Sequence, residues 1–152
     1  FGGRLLSMID LAAYTAASRF SGCVCVTASF DRVDFHEPIE IGEVVQLSAS
    51  VTYAGRTSIE VTIHVTAEDI LTGDRRHTNT ARVTMVALKD GKPFPVPRLI
   101  CESREDKIGF LEGRLRKELR GIQSYDYERI HSSFVAATDM QLDDLLTAES
   151  LI

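Results

Sequence analysis

The 152-residue chain is short of several features that would assign it to a membrane, secreted or nucleic-acid-binding class. No stretch approaches the roughly 18 uninterrupted apolar residues of a membrane span, so no membrane partner is expected. Cysteine is scarce. Cys23, Cys25 and Cys101 cannot all pair internally, and no basic leader with an apolar stretch and cleavage site is visible, so a reducing, cytoplasmic compartment is expected. Positive charge is in deficit, with 17 basic against 22 acidic side chains and a net charge of −5, which argues against general affinity for nucleic acid. His36, His64, His77 and His131 are dispersed with no pairing suited to a metal, and Cys23 and Cys25 lack further ligands nearby. Neither metal nor cofactor is expected, and the two thiols read as buried. Proline is also rare, and three of the four prolines fall in "GKPFPVPRL", where they end the regular part of the chain.

What is present is strongly patterned. In "GGRLLSMIDLAAYTAAS" and the residues after it, Leu5, Ile9, Ala12, Ala13, Ala16 and Phe20 share one side of a helical wheel. Arg4, Ser7, Tyr14, Thr15 and Ser18 share the other. Asp10 falls at the border, flanked by Leu6 and Ala17, a position that suits a carboxylate in a cleft. After Gly22 the period becomes two. "EVVQLSASVTY" sets Val45, Leu47, Ala49, Val51 and Tyr53 on one face, "TSIEVTIHVTAED" does the same with Ile59, Val61, Ile63, Val65 and Ala67, and "TNTARVTMVALK" and "CVCVTASFDRVDF" read as two further strands. The connections "AGRT", "LTGDRR" and "KDGKP" carry the glycines of antiparallel turns. Strands with a single dry face need a cover, so one helix laid across a curved antiparallel sheet is expected.

Beyond the prolines, "SREDKIGFLEGRLRKELR" predicts a second helix with Ile108, Leu111, Leu115 and Leu119 at helical spacing. Residues 125–152 carry six carboxylates against Arg129 alone, an acidic tail with helical character over Met140 to Leu146.

Four segments in order, "FGGRLLSMIDLAA", "VTASFDRVDFHEPIEIGEVV", "YAGRTSIEVTIHV" and "LTGDRRHTNTARVTMVALKDGKPFPVP", resemble the hotdog-fold acyl-CoA thioesterases. The resemblance implies an α+β hotdog fold, a long central helix wrapped by a curved antiparallel β-sheet, over residues 1–99, with a first strand upstream of residue 1. Residues 100–152 would form a C-terminal helical extension and acidic tail. It implies hydrolysis of acyl-CoA thioesters to free fatty acid and CoA, by a homodimer or by a hexamer built as a trimer of dimers, with active sites where two hotdogs meet.

In that family the aspartate at the position of Asp10 is the catalytic carboxylate. Chemically, a carboxylate can attack a thioester carbonyl or deprotonate a water that does. Gly2 and Gly3, at the helix start, would offer free amides at the positive end of the macrodipole as an oxyanion hole, with glycine letting the substrate carbonyl approach the main chain. Arg56, Thr57 and Ser58 form a hairpin suited to CoA phosphates. Arg75 and Arg76 form a second basic spot, read more simply as solvated surface. Val33, Asp34 and Phe35 would line the acyl channel of the partner subunit. The alternative is a hotdog that binds CoA or acyl-CoA without catalysis, as a sensor or the inactive half of a two-domain enzyme. A hotdog dehydratase fits less well, because Tyr14 and Thr15 stand where it would want a histidine.

Overall fold

The computed structural model describes residues 2–31, 33 and 35–151. The alanine-rich segment forms helix α1 (Gly2–Ser21), followed by strands β1 (Val24–Phe30), β2 (Glu43–Ala54), β3 (Ser58–Asp69), β4 (Arg75–Lys89) and the short β5 (Lys92–Pro93). Helices α2 (Arg104–Ala136) and α3 (Asp139–Leu146) complete the order. The sheet is antiparallel, in the order β1-β4-β3-β2, with β5 added beside β4. α1 lies across one face of it. The expected alternation holds along β3 and β4: Ile59, Val61, Ile63, Val65 and Ala67 are buried beside Ala81, Val83, Met85 and Ala87.

α1 meets this surface through Leu5, Ile9, Ala13 and Ala17. Small side chains at Ala13 and Ala17 let the helix backbone approach the sheet closely. Ala17, read from the wheel as a border residue, is fully buried. The contact therefore rolls toward Asp10. Ile9 has no exposed surface, so Ile9→Ala would open a hole at a cost of about 2–5 kcal/mol.

Other expectations are corrected. The strand read through Phe35 ends at Phe30, and Val33 and Phe35 stand in irregular chain. Asp34 lies outside the described residues. Tyr53 does not share the face of Val51: a bulge inserts Thr52, so Val51 pairs with Val61 while Tyr53 pairs with Glu60. The sheet's other face is also partly dry. Glu60 and Thr62 are buried there, with the Thr52 hydroxyl 3.0 Å from Glu60 Oε1 and 2.9 Å from the Thr62 hydroxyl.

The start of α2 covers that patch. Phe110 stacks on Tyr53 at 5.0 Å between ring centroids, and Gly113 is buried. A Cβ on Gly113 would stand 2.5 Å from Tyr53 Cβ and 3.0 Å from Glu60 Oε1, so glycine here is a requirement of close packing. Ile108, Leu111, Leu115 and Leu119 remain exposed, and the helix continues to Ala136, well past the expected end. The chain divides into two compact units, residues 1–114 and 115–152. In the second, Thr138 and Gln141 close a reciprocal capping box at the start of α3.

Candidate active site

Asp10 is half-buried on the flank of α1 that faces β1. Thr27 Oγ1 donates a 2.5 Å hydrogen bond to its Oδ1. The reason is phase: Cys25 and Thr27 are the β1 residues turned toward α1, paired with Ala87 and Met85 of the core row, and a bulge begins directly after Thr27. A carboxylate at a helix border is thereby fixed by a hydroxyl from an edge strand, beside the Met85 sulfur at 3.5 Å from Thr27 Oγ1.

The helix N-terminus forms a second locus. Gly2 lies under the Phe35 ring, whose Cζ would be 3.6 Å from an added Cβ, while at Gly3 none of the described residues comes within 4 Å of such an atom. The first amides of α1 have no intrahelical acceptor, so they are donors at the positive end of the helix. They open on a cleft of about 940 Å³ lined by Gly2, Arg4, Leu5, Met8, residues 35–41, Glu43, Val45 and Asn79. Arg76 ties the loop wall of this cleft to β4. It donates to the Pro38 carbonyl at 2.7 Å and pairs with both Glu43 and Glu37. The Arg76 guanidinium, then the Glu40 amide, hold the Glu43 carboxyl below its ordinary range, and Glu43 in turn raises Arg76.

The predicted site residues are not all brought together. Gly3 and Asp10 are separated by seven residues of one helix, about 10 Å along its axis. Arg56, Thr57 and Ser58 sit at the opposite end of the sheet from Asn79. The Thr57 carbonyl accepts from Ala87, eight residues from Asn79 on β4, a distance of about 26 Å along the strand. The Arg56 carbonyl accepts from Val96 and its side chain is exposed. Arg75 pairs with Glu68, so both arginines of the "DRR" turn are engaged by carboxylates. The histidines are less dispersed than expected: His64 and His77 lie on adjacent strands with ring centroids 5.8 Å apart, both within hydrogen-bond distance of the Thr80 hydroxyl. Among the described residues no group of three or more His, Cys, Asp or Glu could hold a metal.

The Thioesterase superfamily model matches residues 1–73. Protein VdlD of Helicobacter pylori is 43% identical over 120 residues, which is 78% of this chain and 68% of the relative. An apo-hexameric acyl-CoA thioesterase superposes with a TM-score of 0.77 at 38% identity, over 82% of this chain and 80% of its own. The acyl-CoA hydrolase of Staphylococcus aureus, solved with butyryl coenzyme A, coenzyme A and coenzyme A disulfide, gives a TM-score of 0.77 at 33% identity over 90% and 84%. The chain belongs to the hotdog-fold acyl-CoA thioesterases.

Within this thioesterase, reading by sequence missed Thr27 and Asn79. Thr27 was hidden because its partner is 17 residues away and no local pattern joins them. Asn79 did carry a signal. It heads the row Ala81, Val83, Met85, Ala87, so its phase puts an amide among core side chains.

Proposed function

We propose that this thioesterase hydrolyses acyl-CoA to a free fatty acid and CoA, with Asp10 as the catalytic carboxylate. The observation that carries the reading is the Asp10–Thr27 hydrogen bond on the half-buried flank of α1. The Thr27 hydroxyl engages Oδ1 and fixes the carboxylate, leaving Oδ2 to act. As general base, Oδ2 takes a proton from water and the resulting hydroxide adds to the thioester carbonyl; as nucleophile, it adds directly and water later cleaves the acyl-enzyme anhydride. In both routes the C–S bond breaks and CoA leaves as thiolate, a good leaving group that needs little acid assistance. Solved alanine variants of the Staphylococcus aureus hydrolase replace an aspartate and a threonine that stand 17 positions apart, the separation of Asp10 and Thr27 here.

The oxyanion is held by the Gly2 and Gly3 amides. Since these lie about 10 Å along the helix from Asp10, one thioester cannot meet both sets in a single chain. The active site therefore joins Asp10 of one copy to the helix start of another. Among the described residues β1, which carries Thr27, has β4 on one side only and leaves an edge along which a second copy can dock. The assembly is a homodimer or a trimer of dimers, consistent with the hexameric relative. Arg56, Thr57 and Ser58 take the CoA phosphates, and Val33 and Phe35 line the acyl channel. The compartment is cytoplasmic.

The test is steady-state hydrolysis of acyl-CoAs from acetyl to palmitoyl, read by free thiol. Asp10→Asn is expected to lower kcat by about 10²–10⁴ while CoA binding and thermal unfolding stay near wild type. Retention of the rate by that variant would sink the mechanism. Tight CoA binding with no turnover of any chain length by the wild type would favour a non-catalytic binding module.

A further inference from the structure

Asn79 is 1% exposed and its Nδ2 has no hydrogen-bond partner among the described residues. It is also part of the wall of the cleft at the start of α1. Native proteins leave very few buried donors unmade, so a buried amide facing a cleft marks a position where a ligand atom completes the bond.

The direction of the amide is set from behind. A bulge places Thr78 as an extra buried residue between the pairs Val65–Asn79 and Thr66–His77. The Thr78 hydroxyl is 3.0 Å from Asn79 Oδ1 and 3.2 Å from the Val65 carbonyl. With Oδ1 engaged on that side, Nδ2 is the donor left for the cleft. The acceptors on the rim do not satisfy it: Glu37 and Glu43 are held by Arg76, as is the Pro38 carbonyl. The apolar part of the cleft lining comes from Leu5 and Met8 of α1, Val45 of β2, and Ile39 and Ile41 of the loop. Such a lining suits an acyl chain. A buried donor without a partner in its wall suits an oxygen on that chain.

We propose that Asn79 is a specificity-determining residue: its side-chain amide donates to an oxygen carried by the acyl group, so the cleft selects hydroxy- or oxo-acyl-CoA over the plain hydrocarbon ester. The proposal rests on the hydrolase reading above, which puts the thioester oxygen at the Gly2 and Gly3 amides, at the mouth of the same cleft. The chain then runs inward from that point toward Asn79.

Matched pairs test it: butyryl-CoA against 3-hydroxybutyryl- and 3-oxobutyryl-CoA, and octanoyl-CoA against 3-hydroxy- and 8-hydroxyoctanoyl-CoA. In the wild type at least one oxygenated ester should exceed its parent in kcat/KM by about 10-fold or more. Asn79→Leu, close in size and apolar, should bring that ratio near one and unfold at no lower temperature. Asn79→Ala should lose the same preference whatever its stability. Equal treatment of every pair by the wild type would overturn the proposal, as would proportional loss on both members in Asn79→Leu, which marks a structural role. If no ester is hydrolysed at all, the hydrolase reading fails instead. Calorimetric binding of the same pairs then decides Asn79: no tighter binding of the oxygenated member would overturn its role.

Discussion

Gly3 and Gly113 both stand in helices packed on one sheet, on opposite faces of it, and they are glycines for opposite reasons. At Gly113 a methyl group would strike Tyr53 and the Glu60 carboxylate. At Gly3 it would meet nothing among the described residues within 4 Å. The first glycine is therefore explained by the fold. The second is not: helix propensity favours alanine over glycine by about 1 kcal/mol, so a bare position in the first turn of α1 gains stability from substitution. An open position at the first amides of α1 is what the proposed oxyanion hole requires. The two faces thus differ in kind, one sealed around its carboxylate and one open along it.

Substitution can break this contrast. Gly3→Ala should leave the unfolding temperature unchanged or raised, yet lower kcat/KM for acyl-CoA by about 100-fold, because a methyl displaces the carbonyl from the amides. Unaltered kinetics would mean that no substrate approaches there. Thr27→Val keeps the shape beside Asp10 and removes the donor; a fall in kcat of about 10- to 100-fold is expected, with folding preserved, as checked by stopped thiol release and circular dichroism. Gly113→Ala should do the reverse of Gly3→Ala, lowering the urea-unfolding free energy by about 1–3 kcal/mol while folded enzyme keeps its kcat. The smallest effect belongs to the cleft wall. The Glu43 carboxyl is lowered from 4.5, chiefly by Arg76, so the stability from this contact is fully present above the ordinary carboxylate value and is lost as pH falls through the lowered one. Glu43→Gln should lower the unfolding temperature slightly at neutral pH and flatten its decline on acidification from about pH 5 downward. An acid limb as steep as in the wild type would assign the contact no role.

Periodicity carried most of the fold. The helix phase of Leu5 and Ile9 and the alternation through Ile59 to Ala67 follow directly from side-chain geometry, and the glycines of the turns announce antiparallel pairing. Asp10 was legible as a border carboxylate because the wheel alone puts it there. Three things were not. Tyr53 changes face because Thr52 is an added residue, and alternation does not mark an added residue when both neighbours are β-formers. Thr27 and the His64–His77 pair depend on which strands lie side by side, a matter of register rather than of local pattern. The cover supplied by α2 depends on a glycine whose surroundings come from β2 and β3.

The three bulges among the described residues share a placement. Each lies next to a group described above: one follows Thr27 in β1, one is Thr52 beside Glu60 in β2, and one is Thr78 behind Asn79 in β4. Each of these groups is consequently set by chain length as much as by residue type. Deleting a bulged residue would leave the pairing beyond it in register and each side chain on its present face, and would remove only the local kink that aims the neighbouring group. Substitution libraries sample chemistry at fixed length and cannot reach that change. A one-residue deletion scan along β1, β2 and β4 would reach it: deletions of the bulged residues should still fold, because register is kept, whereas deletions elsewhere turn the rest of the strand to the wrong face and should not.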